Sequence, residues 1–107
     1  MNDAMSMFRE LGFKLYNSGE DFYLYKYETD YDKVFIRFDL RLKNYNVICY
    51  RFVDNTEPKF VPMHERPQNI KHSSKYGHWQ SDTTYNIDIK LHNAIHQQLK
   101  ELQGGKE

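Results

Sequence analysis

Lys33-Val34-Phe35-Ile36-Arg37-Phe38-Asp39-Leu40-Arg41 alternates without a break. Val34, Ile36, Phe38 and Leu40 fall on one side and Lys33, Phe35, Arg37, Asp39 and Arg41 on the other, the period-two pattern of a strand with one face in a core. On its C-terminal side, Lys43-Asn44 reads as a turn. Tyr45 to Phe52 then reads as a partner strand, with Ile48, Tyr50 and Phe52 on one face and Tyr45, Val47, Cys49 and Arg51 on the other. On its N-terminal side, Phe13 to Asn17 and Phe22 to Glu28 read as a hairpin around Asn17-Ser18-Gly19-Glu20, and Thr29-Asp30-Tyr31-Asp32 as the next turn. Connections this short predict an antiparallel meander.

Helices flank the meander. Ala4, Met7, Phe8 and Leu11 recur at i, i+3, i+4 and i+7, with Asn2 or Asp3 as N-cap and Gly12 as the stop. Leu91, Ile95, Leu99 and Leu102 form the stripe of a C-terminal helix capped by Asp88 and ended by Gly104-Gly105, with residues 104–107 a fraying tail. Thr83 to Ile87 is the candidate fifth strand. The expected fold is α+β: a two-layer sandwich of four or five antiparallel strands with both helices on one sheet face.

The chain of 107 residues reads as a single domain, 1–107, long enough for one core without metal or disulfide support. Residues 53–82 interrupt the pattern with Pro58, Pro62, Pro67 and Gly77, and offer only Phe60-Val61 as a strand fragment. They read as a long loop or insertion. The lone Cys49 excludes an internal disulfide and suits a reducing cytoplasm, the expected location, and no stretch is apolar enough for a membrane span.

Fifteen Lys and Arg balance fifteen Asp and Glu, which argues against a surface wholly committed to nucleic acid or to its mimicry. The balance hides a segregation, because residues 1–32 carry seven acids against three bases and residues 33–52 five bases against one acid. Aromatic residues make up 16% of the chain, nine of them Tyr, whose polar tip lets a ring line a half-exposed surface.

With Phe22 and Leu24 pointing to the core, Tyr23, Tyr25 and Tyr27 would stand together on the open face beside Phe35, Arg37, Arg41, Tyr45 and Arg51. Such a face suits hot-spot contacts to a protein, or stacking on single-stranded bases with arginines on phosphates. It also suits plain cross-strand packing, with residues 53–82 folded over it as a second small core. Arg66 to Gln80 contains no acid and adds Lys71, Lys75 and Trp79 as candidates, Trp79 reading equally as the anchor of its own loop. His92 and His96 have the i, i+4 spacing of a metal-binding pair but lack the clustered partners of a structural zinc site. No catalytic constellation is visible: Ser73, Ser74 and Ser81 lack a nucleophile elbow, and Cys49 lies within a strand. No cofactor is expected.

Ala4, Met7, Phe8, Leu11, Gly12 and Phe13 at one end, and Ala94, Ile95, Gln98, Glu101 and Leu102 at the other, match a recurring pattern. In these segments the chain resembles small uncharacterised proteins encoded in phages and prophages of Gram-positive bacteria. Those proteins open with an Ala-x-x-Met-Phe-x-x-Leu-Gly-Tyr type helix and close with an Ala-Ile-x-x-Gln-x-x-Glu-Leu-Gly type helix. Gln103 departs from the pattern, where Gly is usual, and so does the stretch 53–82. The resemblance implies a phage accessory protein with an α+β sheet, acting in the host cytoplasm, and carries over no site residues. Together these readings point to a non-enzymatic module that binds a host or phage protein, with single-stranded nucleic-acid binding as the alternative.

Overall fold

A computed structural model describes residues 3–56 and 60–104. An N-terminal helix α1 (Ala4–Glu10) leads into strands β1 (Lys14–Ser18), β2 (Phe22–Glu28), β3 (Asp32–Asp39) and β4 (Asn44–Asp54). Two single 3-10 turns, Met63–Glu65 and Gln68–Ile70, precede β5 (Gly77–Ser81), and helix α2 (Ile89–Gly104) closes the chain. The strands form one antiparallel sheet in sequence order, β1 to β5. The expected small α+β architecture is what the chain adopts.

Local chemistry sets the boundaries. Asp3 caps α1 by accepting from the Ser6 amide at 2.8 Å, and Gly12, at φ +93°, reverses the chain after it. β3 stops before Leu40 because Asp39 Oδ1 accepts from the amides of Arg41 and Leu42, each at 2.9 Å, which closes the turn to β4. Asp88 Oδ1 likewise accepts from the Leu91 amide at the start of α2. The far end of that expected cap-to-tail reading, residues 105–107, lies outside the described residues.

The fifth strand corrects the sequence reading. Thr83 to Ile87 does not pair: Asp82 Oδ1 binds the Thr84 amide and hydroxyl and shapes a turn instead. Gly77–Ser81 pairs with β4, matching Phe52 to Trp79 and Asp54 to Gly77. Phe60 and Val61 form no strand either.

The core lies between the helices and one sheet face. Phe8 from α1, Leu91, Ala94 and Ile95 from α2, and Val34, Ile36 and Phe38 from β3 are all buried there. A side chain such as Phe8, fully enclosed, contributes about 2–3 kcal/mol. β3 therefore buries the face that its alternation designates. No helix among the described residues is long and apolar enough to cross a membrane.

Candidate functional site

Residues directly opposite one another in an antiparallel sheet share a face, so the register assigns every strand residue to the helix-covered side or the open side. Tyr23 lies opposite Phe38, Tyr25 opposite Ile36 and Tyr27 opposite Val34. The three tyrosines are thus on the helix-covered side, the reverse of the sequence reading. Tyr25 is 1% exposed. Its ring stacks on Phe8 at 4.2 Å, and its hydroxyl donates to Gln98 Oε1 at 2.9 Å. Burial, reinforced by the Glu101 charge, pushes its pKa up to about 12. Tyr23 and Tyr27 pack, partly buried, against the same core.

Tyr45 and Arg51 belong to that side as well, opposite Phe38 and Asp32. Arg41 sits in the β3–β4 turn. Of the residues expected to form one patch, only Phe35, Arg37 and Trp79 are on the open side. The physical reason for the inversion lies in β2. Phe22 and Leu24 share their parity with Lys26 and Glu28, which have to face water, and this leaves the tyrosine face as the one that is uniformly burial-competent.

The open face that results is aromatic and basic, but made of other residues. Phe35 is at its centre, with the Tyr16 ring edge-on at 6.1 Å and the Tyr50 ring at 6.3 Å. Phe22 and Leu24 from β2 and Ile48 from β4 extend it. The Arg37 guanidinium lies 4.3 Å from the Phe22 ring, and Lys26 Nζ lies 4.6 Å from the Tyr16 ring while pairing with Glu28 at 3.0 Å. Tyr16 is 59% exposed and Ile48 42%. Tyr16 shares the parity of Lys14 and so lies on this side, and the β-bulge between Leu15 and Asn17 leaves it without a partner residue opposite on β2. The sequence reading missed Tyr16, Phe22, Leu24, Ile48 and Tyr50, although the Lys26/Glu28 parity was a usable signal for the two in β2.

At the β4–β5 end the open face is roofed. Residues 60–76 fold over Phe52, and the roof is organised by Arg66, which is buried. Arg66 Nη2 meets Asp54 Oδ1 at 2.7 Å, Nε donates to the Val61 carbonyl at 2.9 Å and Nη1 to the Lys71 carbonyl at 3.3 Å. His72 packs on both Phe52 and Trp79, with ring centroids at 5.0 and 4.8 Å, and those two rings are themselves 5.2 Å apart. Trp79 thus anchors its own segment to the sheet, while Lys33 Nζ lies 4.3 Å from its ring at the border of the uncovered area.

The remaining basic candidates do not converge. Lys71 Nζ pairs with Asp30 at 2.6 Å, and the hydrogen bond holds that carboxyl below the usual aspartate range. Lys75 is exposed, its Nζ 5.4 Å from the Tyr76 ring. A cleft of about 460 Å³ beside β1, lined by Lys14, Tyr16, Lys26, Glu28, Asp30, Lys71 and His72, therefore has two of its three lysines already paired. On the helix side, burial pushes the Cys49 thiol pKa up, further from the reactive thiolate. No group of three or more His, Cys, Asp or Glu among the described residues is placed to hold a metal ion.

No family model matches the chain, and neither a curated protein nor a solved structure shows significant similarity to it.

Proposed function

We propose that the protein is a non-enzymatic binding module that docks a protein partner on the open sheet face around Phe35, with an acidic side chain of that partner meeting Arg37. One observation carries this reading: Phe35, Tyr16, Tyr50, Leu24 and Ile48 form a contiguous apolar surface that neither helix covers, and Arg37 has no ion-pair partner among the described residues. A cluster of rings around one arginine is the composition of interface hot spots. The resemblance at the terminal helices extends the proposal to a partner from a phage or its host.

Nucleic acid is the weaker reading, because phosphate binding draws on several cations along one track. Here Arg51 lies on the opposite face, Arg41 in a turn and Lys71 in an ion pair.

The test begins with the full chain as bait in extract of the candidate host, and continues with the purified partner that it identifies. A Phe35→Ala, Arg37→Glu double substitution should weaken that partner's affinity by ~30-fold or more, the scale of a hot-spot loss, and leave the far-ultraviolet spectrum unchanged. Tyr23→Phe on the helix side should have no effect. Undiminished affinity in the double variant removes this face from consideration. Salt-sensitive binding of a labelled oligonucleotide that depends on the same two residues would replace the protein reading by the nucleic-acid one.

A further inference from the structure

We infer that His92 and His96 form a binding site for one divalent transition-metal ion of the imidazole-preferring kind, with copper(II) the tightest ligand. Both residues are exposed on α2 with their ring centroids 4.3 Å apart and the ring planes 35° from each other. Leu91, Ala94, Ile95 and Gln98 fix the opposite face of this helix in the core, so the backbone that spaces the two imidazoles is held rigid. Two imidazoles sharing a metal at about 2.1 Å per nitrogen have centroids roughly 4.6 Å apart at a square-planar angle and roughly 5.3 Å apart at a tetrahedral one. Exposed rotamers therefore need to open the pair by about 1 Å or less, within the reach of ordinary side-chain motion.

The other three histidines lack such a neighbour. His72 Nε2 lies 2.7 Å from the Asp30 carbonyl oxygen, in the roof against Phe52 and Trp79. His78 meets Gln80 Oε1 at 3.3 Å, and His64 meets the Glu65 carboxylate at 3.6 Å. Along α2, Asp88 stands one turn before His92 and Lys100 one turn after His96. Asp88 is engaged as the helix cap through the Leu91 amide.

With two protein ligands, the remaining coordination positions face solvent and take water. This is a site for an exchangeable ion, and its preference follows the general affinity order in which copper exceeds nickel and zinc. It lies on the helix layer, so occupancy leaves the open sheet face free.

Calorimetric titration of the full chain with copper(II), nickel(II) and zinc(II) chlorides tests the assignment. One ion per chain is expected, tightest for copper. His92→Asn and His96→Asn should each weaken copper binding about tenfold or more, because each removes one of two protein ligands. A His64→Asn, His78→Asn double variant should bind as the unaltered chain does. All of these are surface changes, and circular dichroism checks that α2 is intact. Electron paramagnetic resonance of the copper complex should show two coupled imidazole nitrogens, reduced to one in either single variant. Unchanged copper affinity or an unchanged nitrogen pattern in those variants would overturn the site, as would absence of binding by the unaltered chain.

Discussion

The Arg66 guanidinium, buried under the roof segment, meets the Asp54 carboxylate at the end of β4 at 2.7 Å. The same side chain satisfies two carbonyl oxygens of its own loop, those of Val61 and Lys71. One residue thus does for residues 60–76 what a hydrophobic stripe does for a helix. Arg66→Ala should cost about 2–4 kcal/mol, since it leaves two carbonyls without that donor and takes the cation from Asp54, to which the Tyr31 hydroxyl still donates. Arg66→Lys should recover little, because an ammonium cannot span the fork. Hydrogen exchange should locate the damage: protection is lost in 60–81 while the amides of β2 and β3 keep theirs. Uniform loss across the sheet would contradict a locally acting arginine.

Tyr25 makes a different prediction from the one that its sequence position suggests. Tyr25→Phe removes the bond to Gln98, itself 4% exposed, and should destabilise by about 1–2 kcal/mol by leaving a buried amide oxygen without its donor. The pH dependence has a definite sign. The unfolded chain releases the Tyr25 proton near the ordinary tyrosine value of 10.0, whereas the folded chain retains it to about 12. Stability from the neutral phenol is full below pH 10 and is lost as pH rises toward 12. Urea midpoints across that window should fall less steeply in Tyr25→Phe. Tyr85, whose pKa burial also raises, keeps the slope from vanishing.

These two residues mark the limit of what the sequence makes legible. β3 could be read directly because one of its faces carries only aliphatic and Phe side chains, and both helices could be read from their stripes and caps. β2 is legible only from its second half: Phe22-Tyr23-Leu24-Tyr25 is apolar on both parities, and a scale that ranks Phe and Leu above Tyr selects the wrong side, whereas Lys26 and Glu28 share the parity of Phe22 and Leu24 and argue for water on that face. The buried tyrosine face is completed by a partner for the Tyr25 hydroxyl 73 positions away on α2, which no local pattern announces. The roof was hidden for a related reason. Its organiser is a charged residue whose partners, Asp54 and loop carbonyls, carry no periodicity, so 53–82 could be recognised as unusual without its β5 being located. The candidate patch inherits both errors: of its expected sheet residues only Phe35 and Arg37 lie on the open side, joined by Trp79, which the sequence reading assigns to a loop.

Gly77 locks the start of β5 against β4. A methyl group there would press into the Val53 carbonyl oxygen and stand 2.7 Å from the Phe52 ring, which is itself held by His72 and Trp79. Neither backbone nor packed ring can yield cheaply. Gly77→Ala should therefore cost about 1–3 kcal/mol and weaken β5 pairing, seen as faster exchange of the Gln80 and Ser81 amides. Gly19→Ala serves as the contrast: its added methyl would meet only the half-buried Phe22 ring at 2.8 Å, and a smaller loss is expected.

The two ends of the chain are joined by one carboxylate. Glu101 Oε2, near the end of α2, accepts from the Ala4 amide at 2.8 Å, so the first turn of α1 is capped from another helix while Asp3 caps the Ser6 amide. A seven-residue helix is too short to persist alone, and its buried Phe8 supplies one ring of the stack on Tyr25. Glu101→Ala should cost about 1 kcal/mol, the scale of a lost cap, and Asp3→Ala a similar amount. Because both caps serve the same seven residues, the second removal should cost less than the first once α1 has begun to detach, and a double-mutant cycle should show coupling of about 0.5 kcal/mol or more. Asp3 adds a pH signature: its Ser6 hydrogen bonds hold its carboxyl below the ordinary aspartate value of 3.8, so its contribution is present above that pH and is lost as pH falls through the lower folded value. Strict additivity of the two caps, measured by urea unfolding, would show that α1 stays docked through its side chains alone.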